Sequence, residues 1–233
     1  MYEQRVSNDW IRRPCPTNTV FSEAECTCVR DNRTIVDSAG SPCSTFAYIP
    51  FRTDTLDKSG NERNTMAVGV EIMFPGSKGY AYFSPPSHMV IWSTSNMDFG
   101  HYIKITFRFR HDSSNGSVGH YTIMGNCFPG DRRGPSLYIG SLVGYNKSIV
   151  ASLDTSVDVN VTDLSVKYDE GWQDVTVIYD GNTFSLTVGN RTESISRHGY
   201  ITRRQTALTI ARPSRPQDRY LKACLKELRI STC

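Results

Sequence analysis

Residues 171–190 limit the possible folds more than any other stretch of the chain. Val175, Val177 and Tyr179 alternate with Thr176 and Ile178; Asp180-Gly181 then supplies residues that tolerate positive φ, and Phe184, Leu186 and Val188 alternate with Ser185 and Thr187. This pattern is a β-hairpin. Each of its strands shows one apolar face, so the ribbon has to lie against a second sheet. Trp172, at the start of the first strand, is expected in the core with Phe107 and Phe109 opposite.

The rest of the chain supplies strands for such a sheet. Val68, Val70, Ile72 and Phe74 alternate, and the runs at 80–83 and 89–92 are bounded by Pro, Gly or Ser. Residues 101–110 form the clearest strand. Ile103, Ile105, Phe107 and Phe109 face one way, and Tyr102, Lys104, Thr106, Arg108 and Arg110 face the other. His101, at the inward end, reads as a core histidine. Further strands are expected at 120–124, 137–142, 149–153, 157–161, 208–210 and 221–230. No apolar stripe of period 3.6 and helical length is present, so the class is all-β. At 233 residues the chain can bury one substantial sandwich core. No apolar run is long enough for a membrane-spanning helix.

The chain divides by composition into a Cys-rich arm over 1–45, a linker over 46–65 and a sandwich over 66–233. The stretch 54–64, rich in Gly, Asn, Asp, Ser and charge, reads as loop beside an apolar island at Phe46-Ala47-Tyr48-Ile49. Four of the seven cysteines crowd between Cys15 and Cys43, as in a stapled extracellular segment. Asn32, Asn115, Asn146, Asn160 and Asn190 each open an Asn-x-Ser/Thr sequon and are candidate N-glycosylation sites. Residues 1–5 contain no apolar leader core. These features predict a secreted glycoprotein whose leader lies upstream of Met1.

Two segments carry family resemblances. Cys15-Pro16, Val20-Phe21 and Cys28 occur in the order found at the end of peritrophin-A type chitin-binding modules, a resemblance confined to about residues 14–28. Residues 66–230 resemble the laminin G-like (concanavalin A-like) jelly-roll sandwiches. The resemblance rests on Tyr82-Phe83-Ser84, Lys104-Ile105-Thr106-Phe107-Arg108-Phe109-Arg110, the Ser114-Asn115-Gly116 turn, Gly171-Trp172-Gln173-Asp174-Val175 and the closing segment Tyr220-Leu221-Lys222-Ala223-Cys224-Leu225-Lys226-Glu227-Leu228-Arg229-Ile230. The pairing of the two resembles the arrangement in the Pif family of molluscan nacre matrix proteins.

The sandwich resemblance implies an irregular arm attached to two antiparallel sheets. It also implies Ca2+ as the candidate cofactor at a sandwich edge, where Asn126, Asp131 and Asp218 occupy the matching positions. Asn in place of a first carboxylate weakens such a site, because Ca2+ prefers charged oxygen ligands. The family pattern further implies a Cys224–Cys233 disulfide. The residues themselves argue otherwise. Leu225 to Ile230 read as a continuing strand, which carries the chain roughly 20 Å from Cys224, whereas a disulfide tolerates about 7 Å between Cα atoms. Cys224 is therefore expected with Cys127 or reduced in the core, and Cys233 with the N-terminal cysteine cluster, Cys43 first among its members.

Charge is distributed unevenly although the net is only +3. Arg197, Arg203, Arg204, Arg212, Arg215, Arg219, Lys222, Lys226 and Arg229 face only Asp218 and Glu227 in the last stretch; Asp154, Asp158, Asp163, Asp169, Glu170, Asp174 and Asp180 cluster earlier, with Lys167 between them. If the sheet keeps the groups apart, the domain has a basic edge and an acidic edge. Arg203, Arg204, Arg212, Arg215, Arg219 and Lys222 are then the candidate ligand-binding residues for a sulfated or carboxylated polysaccharide or an acidic matrix protein, and the acidic edge could meet calcium mineral.

No catalytic set stands out. The close carboxylates Asp169, Glu170 and Asp174 surround a turn, whereas sandwich glycosidases carry their pair on one strand. His88, His101, His111, His120 and His198 lack metal-binding spacing. Trp10, Trp92 and Trp172 read as core, and the basic residues lack the interleaved aromatics of nucleic-acid binders. The functional expectation is a non-enzymatic binding module of a secreted extracellular matrix, of shell or cuticle type, for chitin, an anionic glycan or acidic matrix and mineral components. The alternatives are a lectin-like cell-surface domain and, behind it, a glycoside hydrolase.

Overall fold

The computed structural model describes residues 43–233, except 113–117, 129–130, 132, 145–146 and 158–162, together with the backbone of four strands nearer the N-terminus. The chain forms two compact units, Met1–Pro42 and Cys43–Cys233. In the first, β1 (Tyr2–Val6) pairs with β2 (Asp9–Arg13), and β3 (Thr19–Ser22) with β4 (Thr27–Arg30), both antiparallel. Val20 and Phe21 of the peritrophin-like segment lie on β3, with Phe21 opposite Cys28; Cys15 and Cys26 lie outside the described residues.

The second unit is a sandwich. Its strands in chain order begin with β5 (Ser44–Ile49), β6 (Thr65–Val68), β7 (Glu71–Met73), β8 (Tyr80–Phe83), β9 (His88–Ile91), β10 (Ile103–His111), β11 (Gly119–Gly125) and β12 (Leu137–Val143). They continue with β13 (Ser148–Leu153), β14 (Leu164–Lys167), β15 (Gln173–Tyr179), β16 (Thr183–Val188), β17 (Arg191–Ser196), β18 (Leu208–Ile210), β19 (Asp218–Arg219) and β20 (Ala223–Thr232). One sheet runs β17-β16-β15-β10-β20-β8-β7, with β5 beside the later part of β20; the other runs β14-β13-β12-β11-β18-β9-β6. All neighbours are antiparallel except the short β19, which joins β11 in parallel.

The β15–β16 hairpin forms in the expected register, with Val177 opposite Leu186 and Tyr179 opposite Phe184. Gly181 takes φ 93°, and the Asp180 Oδ1 accepts hydrogen bonds from the amides of Asn182 (2.9 Å) and Thr183 (2.7 Å), so the turn is fixed by its own residues. Ile103, Ile105, Phe107 and Phe109 of β10 are buried, as are Val175, Val177 and Tyr179 of β15 and Phe184, Leu186 and Val188 of β16. They share one core with Ile123, Leu137, Ile139, Ile149, Ala151 and Leu153 of the other sheet.

Three features differ from the sequence reading. The alternation at 68–74 is two strands, not one: Gly69, at φ 64°, turns the chain so that β6 joins one sheet and β7 the other. Part of the expected linker is the strand β5, with Phe46, Ala47 and Ile49 buried against β20. This strand is needed because β8 covers β20 only along Ala223, Cys224 and Leu225, and the remaining half of β20 would otherwise present an open edge. The polar strand β17 carries too few apolar residues to announce itself, and in β14 the alternation of Leu164 and Val166 with Ser165 and Lys167 spans only four residues. The segment 157–161 lies largely outside the described residues.

Cysteine chemistry follows the reading from residues. Ser44 pairs with Thr232, which brings Cys43 and Cys233 side by side at a Cα separation of 4.5 Å, and they form a disulfide. Cys127 and Cys224 are buried and reduced.

Candidate functional site

Period-2 alternation and one bulge assemble a cationic, aromatic patch on the outer face of the β17–β7 sheet. With Ile103, Ile105, Phe107 and Phe109 turned inward, Lys104, Thr106, Arg108 and Arg110 of β10 point outward. On β15 the buried residues are Val175, Val177 and Tyr179, so Asp174 and Trp172 fall on the outward parity. On β20 the register shifts between the partners of Thr106 and Arg108, where Glu227 takes φ 52°. That extra residue lets Leu225, Leu228 and Ile230 all face the core while Lys226 and Arg229 both face out.

The expectation that Trp172 is buried opposite Phe107 and Phe109 is therefore corrected: its parity is that of the outer face, and it is half-buried there. Its ring meets that of Tyr80 edge-on at 5.5 Å, and Phe74 lies 6.0 Å from Tyr80. Lys226 Nζ and Arg110 Cζ sit 5.0 and 5.1 Å from the indole centre, and Arg108 Cζ sits at 5.9 Å. Arg108 has a carboxylate neighbour, Asp174, at 3.0 Å. Arg110 instead reaches Cys224 Sγ (3.4 Å) and the Tyr80 hydroxyl (3.5 Å). Among the described residues neither Arg110 nor Lys226 has a carboxylate at ion-pair distance.

Beside the patch is a hollow of about 410 Å³ lined by Tyr80, Tyr82, Arg110, Asp112, Lys147 and Glu170 among others. The Tyr82 hydroxyl donates to Asp112 Oδ2 at 2.9 Å; burial and then this bond push its pKa up to about 12, so it stays a neutral donor. Burial, reinforced by Lys147, pushes the His111 imidazole down and favours its neutral form. Lys147 Nζ donates to Glu170 Oε1 at 2.8 Å and holds that carboxyl below its usual range. A general acid of a glycosidase needs the opposite shift.

Most of the residues singled out from the sequence lie elsewhere, and most are occupied. Arg204 is buried, pairs with Asp154 at 2.7 Å and also donates to the Gly134 and Arg133 carbonyls. Arg215 makes a two-pronged pair with Asp163, both bonds 2.9 Å, and lies 3.8 Å over the Tyr138 ring. Arg203 pairs with Asp98, Arg212 lies over Phe128 at 4.9 Å, Lys222 is 3.5 Å from Asp112, and Arg219 is exposed on β19. The basic and acidic groups are thus not kept apart as two edges. Asp154 meets Arg204, Asp163 meets Arg215, Asp169 meets Arg191 and Asp174 meets Arg108.

The set drawn from the calcium resemblance is also committed to other partners. Asn126 Oδ1 accepts from the Ser136 and Leu137 amides (3.0 Å each), and its Nδ2 donates to Ser136 Oγ. Asp218 accepts from the Thr122 hydroxyl (2.6 Å), the Arg215 amide and the Tyr138 hydroxyl. Asp131 Oδ1 caps the Arg133 amide. Among the described residues no cluster of acids, histidines and cysteines suits a metal. These side chains do not fit a Ca2+ site, which needs carboxylate oxygens free to converge on one point.

Other readings change with the fold. His101 is exposed and stacks on Tyr200 at 3.8 Å, with Nδ1 3.1 Å from the Gly199 carbonyl, because its strand starts only at Ile103. Trp92 is 47% exposed and not core. Asn190 is exposed in the turn between β16 and β17, while Asn32, Asn115, Asn146 and Asn160 lie outside the described residues.

Comparison with known proteins adds a fold and a distant relative. No protein-family profile matches the chain. It is 25% identical over 237 residues to an "Asparagine-rich protein" of Margaritifera margaritifera, a match covering 100% of this chain and 32% of that protein. Among solved structures it resembles botulinum neurotoxin type C, in work on cell entry dependent on two ganglioside molecules, at TM-score 0.62 and 15% identity, covering 81% of this chain and 47% of that one. The binding domain of botulinum neurotoxin DC in complex with rat synaptotagmin II gives TM-score 0.62 at 15% identity, over 81% of this chain and 48% of that one. Domain 4 of a GH43 extracellular arabinanase from Geobacillus stearothermophilus, in complex with arabinotriose, gives 0.58 at 12%, over 82% and 93%. The chain thus spans under half of the toxin chains and about a third of the relative. The shared fold is a jelly-roll-like sandwich that recurs in binding domains.

Proposed function

We propose that this protein is a glycan-binding module whose ligand is an anionic polysaccharide, held on the outer face of the β17–β7 sheet. The observation that carries this reading is the Trp172–Tyr80 pair with Arg110 and Lys226 beside it, neither cation having a carboxylate partner among the described residues. The rings offer apolar surface to the C–H face of a sugar and hold the cation heads in position, which lowers the ordering cost of binding. The cations then meet sulfate or carboxylate groups, Arg110 with its planar fork and Lys226 as a point charge. The ganglioside and arabinotriose named for two of the structurally similar proteins support a glycan partner, beside the protein partner named for a third.

The Cys-rich, sequon-bearing sequence and its resemblance to nacre matrix proteins support a role in a secreted extracellular matrix of shell or cuticle type. An uncharged polymer such as chitin would leave Arg110 and Lys226 without counter-charges, so the acidic polymers of such a matrix fit better. The ion-paired Glu170 supports binding without hydrolysis.

Chromatography on immobilised heparin, polygalacturonate and chitin tests the reading. The protein should be retained on the two polyanions and released by salt, because screening acts directly on this contact. Replacing Arg110 and Lys226 by Ser should weaken polyanion binding by about 10- to 100-fold, the equivalent of losing charge-assisted hydrogen bonds. Equal retention of the variant, or stronger retention on chitin than on either polyanion, would overturn it.

A further inference from the structure

The outer face does not end at Trp172. Some way along the same two strands lies a second hollow, of about 680 Å³, lined by Tyr48, Tyr102, Lys104, Thr106, Arg229 and Ser231 among others. Arg229 Cζ sits 4.7 Å over the Tyr48 ring, and the two residues are register partners across β20 and β5. Thr106 is the partner of Arg229 on the other side, so the guanidinium stands in the middle of a three-strand surface. The nearest acid in the lining, Glu227, is paired with Arg52 at 3.6 Å. Among the described residues Lys104 and Arg229 have no carboxylate at ion-pair distance.

We infer that this is a second subsite for the same ligand, and that the ligand is an extended anionic glycan chain lying along β10 and β20. The inference rests on the glycan reading above and goes beyond it, since one cation cluster needs only a single charged sugar. Two clusters set apart along a rigid strand need a polymer. Lys104 and Arg110 are six residues apart on β10, or roughly 20 Å at the rise of a strand. Thr106 and Arg108, which point the same way, keep the floor between them polar. The bulge at Glu227 is what makes the track continuous on β20: without it Arg229 would share the inward parity of Leu225. Each subsite repeats one construction, a tyrosine or tryptophan ring under an unpaired cation. The hydroxyls of Thr45, Thr106 and Ser231 offer neutral hydrogen bonds to the sugar between its charged groups.

A ligand that reaches both subsites gains from effective concentration, whereas a short one does not. Calorimetric titration with a heparin disaccharide and a heparin dodecasaccharide, on the full chain and on a Lys104→Ser/Arg229→Ser variant, separates the cases. In the unmodified protein the dodecasaccharide should bind about 100-fold tighter than the disaccharide. The double variant should keep the disaccharide affinity of the Trp172 end, with any second disaccharide site lost, and lose at least 10-fold for the dodecasaccharide. Both substitutions are on the solvent face, and an unchanged melting temperature confirms that the fold is intact. If the length dependence is absent, or is the same in the variant, the second subsite is wrong while the Trp172 site stands. If neither fragment binds, the glycan reading fails and this inference fails with it.

Discussion

Truncating Phe107 to Ala is expected to cost about 3–5 kcal/mol of folding stability, among the largest effects of any single change in the chain. The ring is 2% exposed at the middle of β10 and shares the core with residues of both sheets. Its backbone is held by β15 on one side, where it pairs with Val175, and by β20 on the other, where the bulge lies opposite. Hydrogen-bonded neighbours on both flanks limit how far the site can collapse, so most of the cavity remains and its cost adds to the lost transfer energy. Urea denaturation measures it. The outward neighbour Thr106 provides the control, because a Thr106→Ala change on the solvent face should stay within about 0.5 kcal/mol. A loss below about 1 kcal/mol for Phe107→Ala would mean that the ring is not in the core.

Removing the Cys43–Cys233 bridge is the second large effect. The two cysteines are 190 residues apart in sequence, and a cross-link closing so long a loop restricts the unfolded chain strongly. The paired change Cys43→Ser and Cys233→Ser should therefore cost about 2–4 kcal/mol. Denaturation of the oxidised protein and of the variant gives the difference directly. Stabilities equal within about 0.5 kcal/mol would mean that β5 and the end of β20 are held by their ladder alone. Cys127, buried and without a disulfide partner, should react with thiol reagents only on unfolding.

How much of this was legible in the sequence depends on how local the determinant is. The inner faces of β10, β15 and β16 follow from alternation over a few residues, and the sandwich follows from them. The length of β20 rules out a Cys224–Cys233 bridge, since a strand cannot double back within two residues, and leaves Cys233 to the N-terminal cysteines; that its partner is Cys43 depends on β5 pairing with the end of β20. The bulge on β20 has a sequence signal of its own: Leu225, Leu228 and Ile230 are spaced three and then two apart, which only an inserted residue permits in a half-buried strand. Trp172 has one too, because its number shares the parity of Asp174 and Thr176 and not of Val175 and Val177. Aromatic size suggested the core and parity gave the solvent face, and parity prevailed. The ion pairs were not legible. Arg204 with Asp154 and Arg215 with Asp163 are separated by some fifty residues and depend on how the loops fold back over the sheet. Charge counted along the sequence therefore points mainly to residues that neutralise one another, while Arg110, Lys226, Lys104 and Arg229, all present in the outward face or the basic group, come together as one surface only through the register of β10 with β20.

The most direct measurement is an amide NMR titration of the full chain with a heparin dodecasaccharide. Binding on the outer face predicts the largest shifts along β10 and β20, at Tyr80 and Tyr82 of β8 and at the start of β15, with the Trp172 indole N–H among them. Shifts confined to the segments carrying Arg203, Arg204, Arg212 and Arg215, with β10 and β20 unmoved, would contradict it.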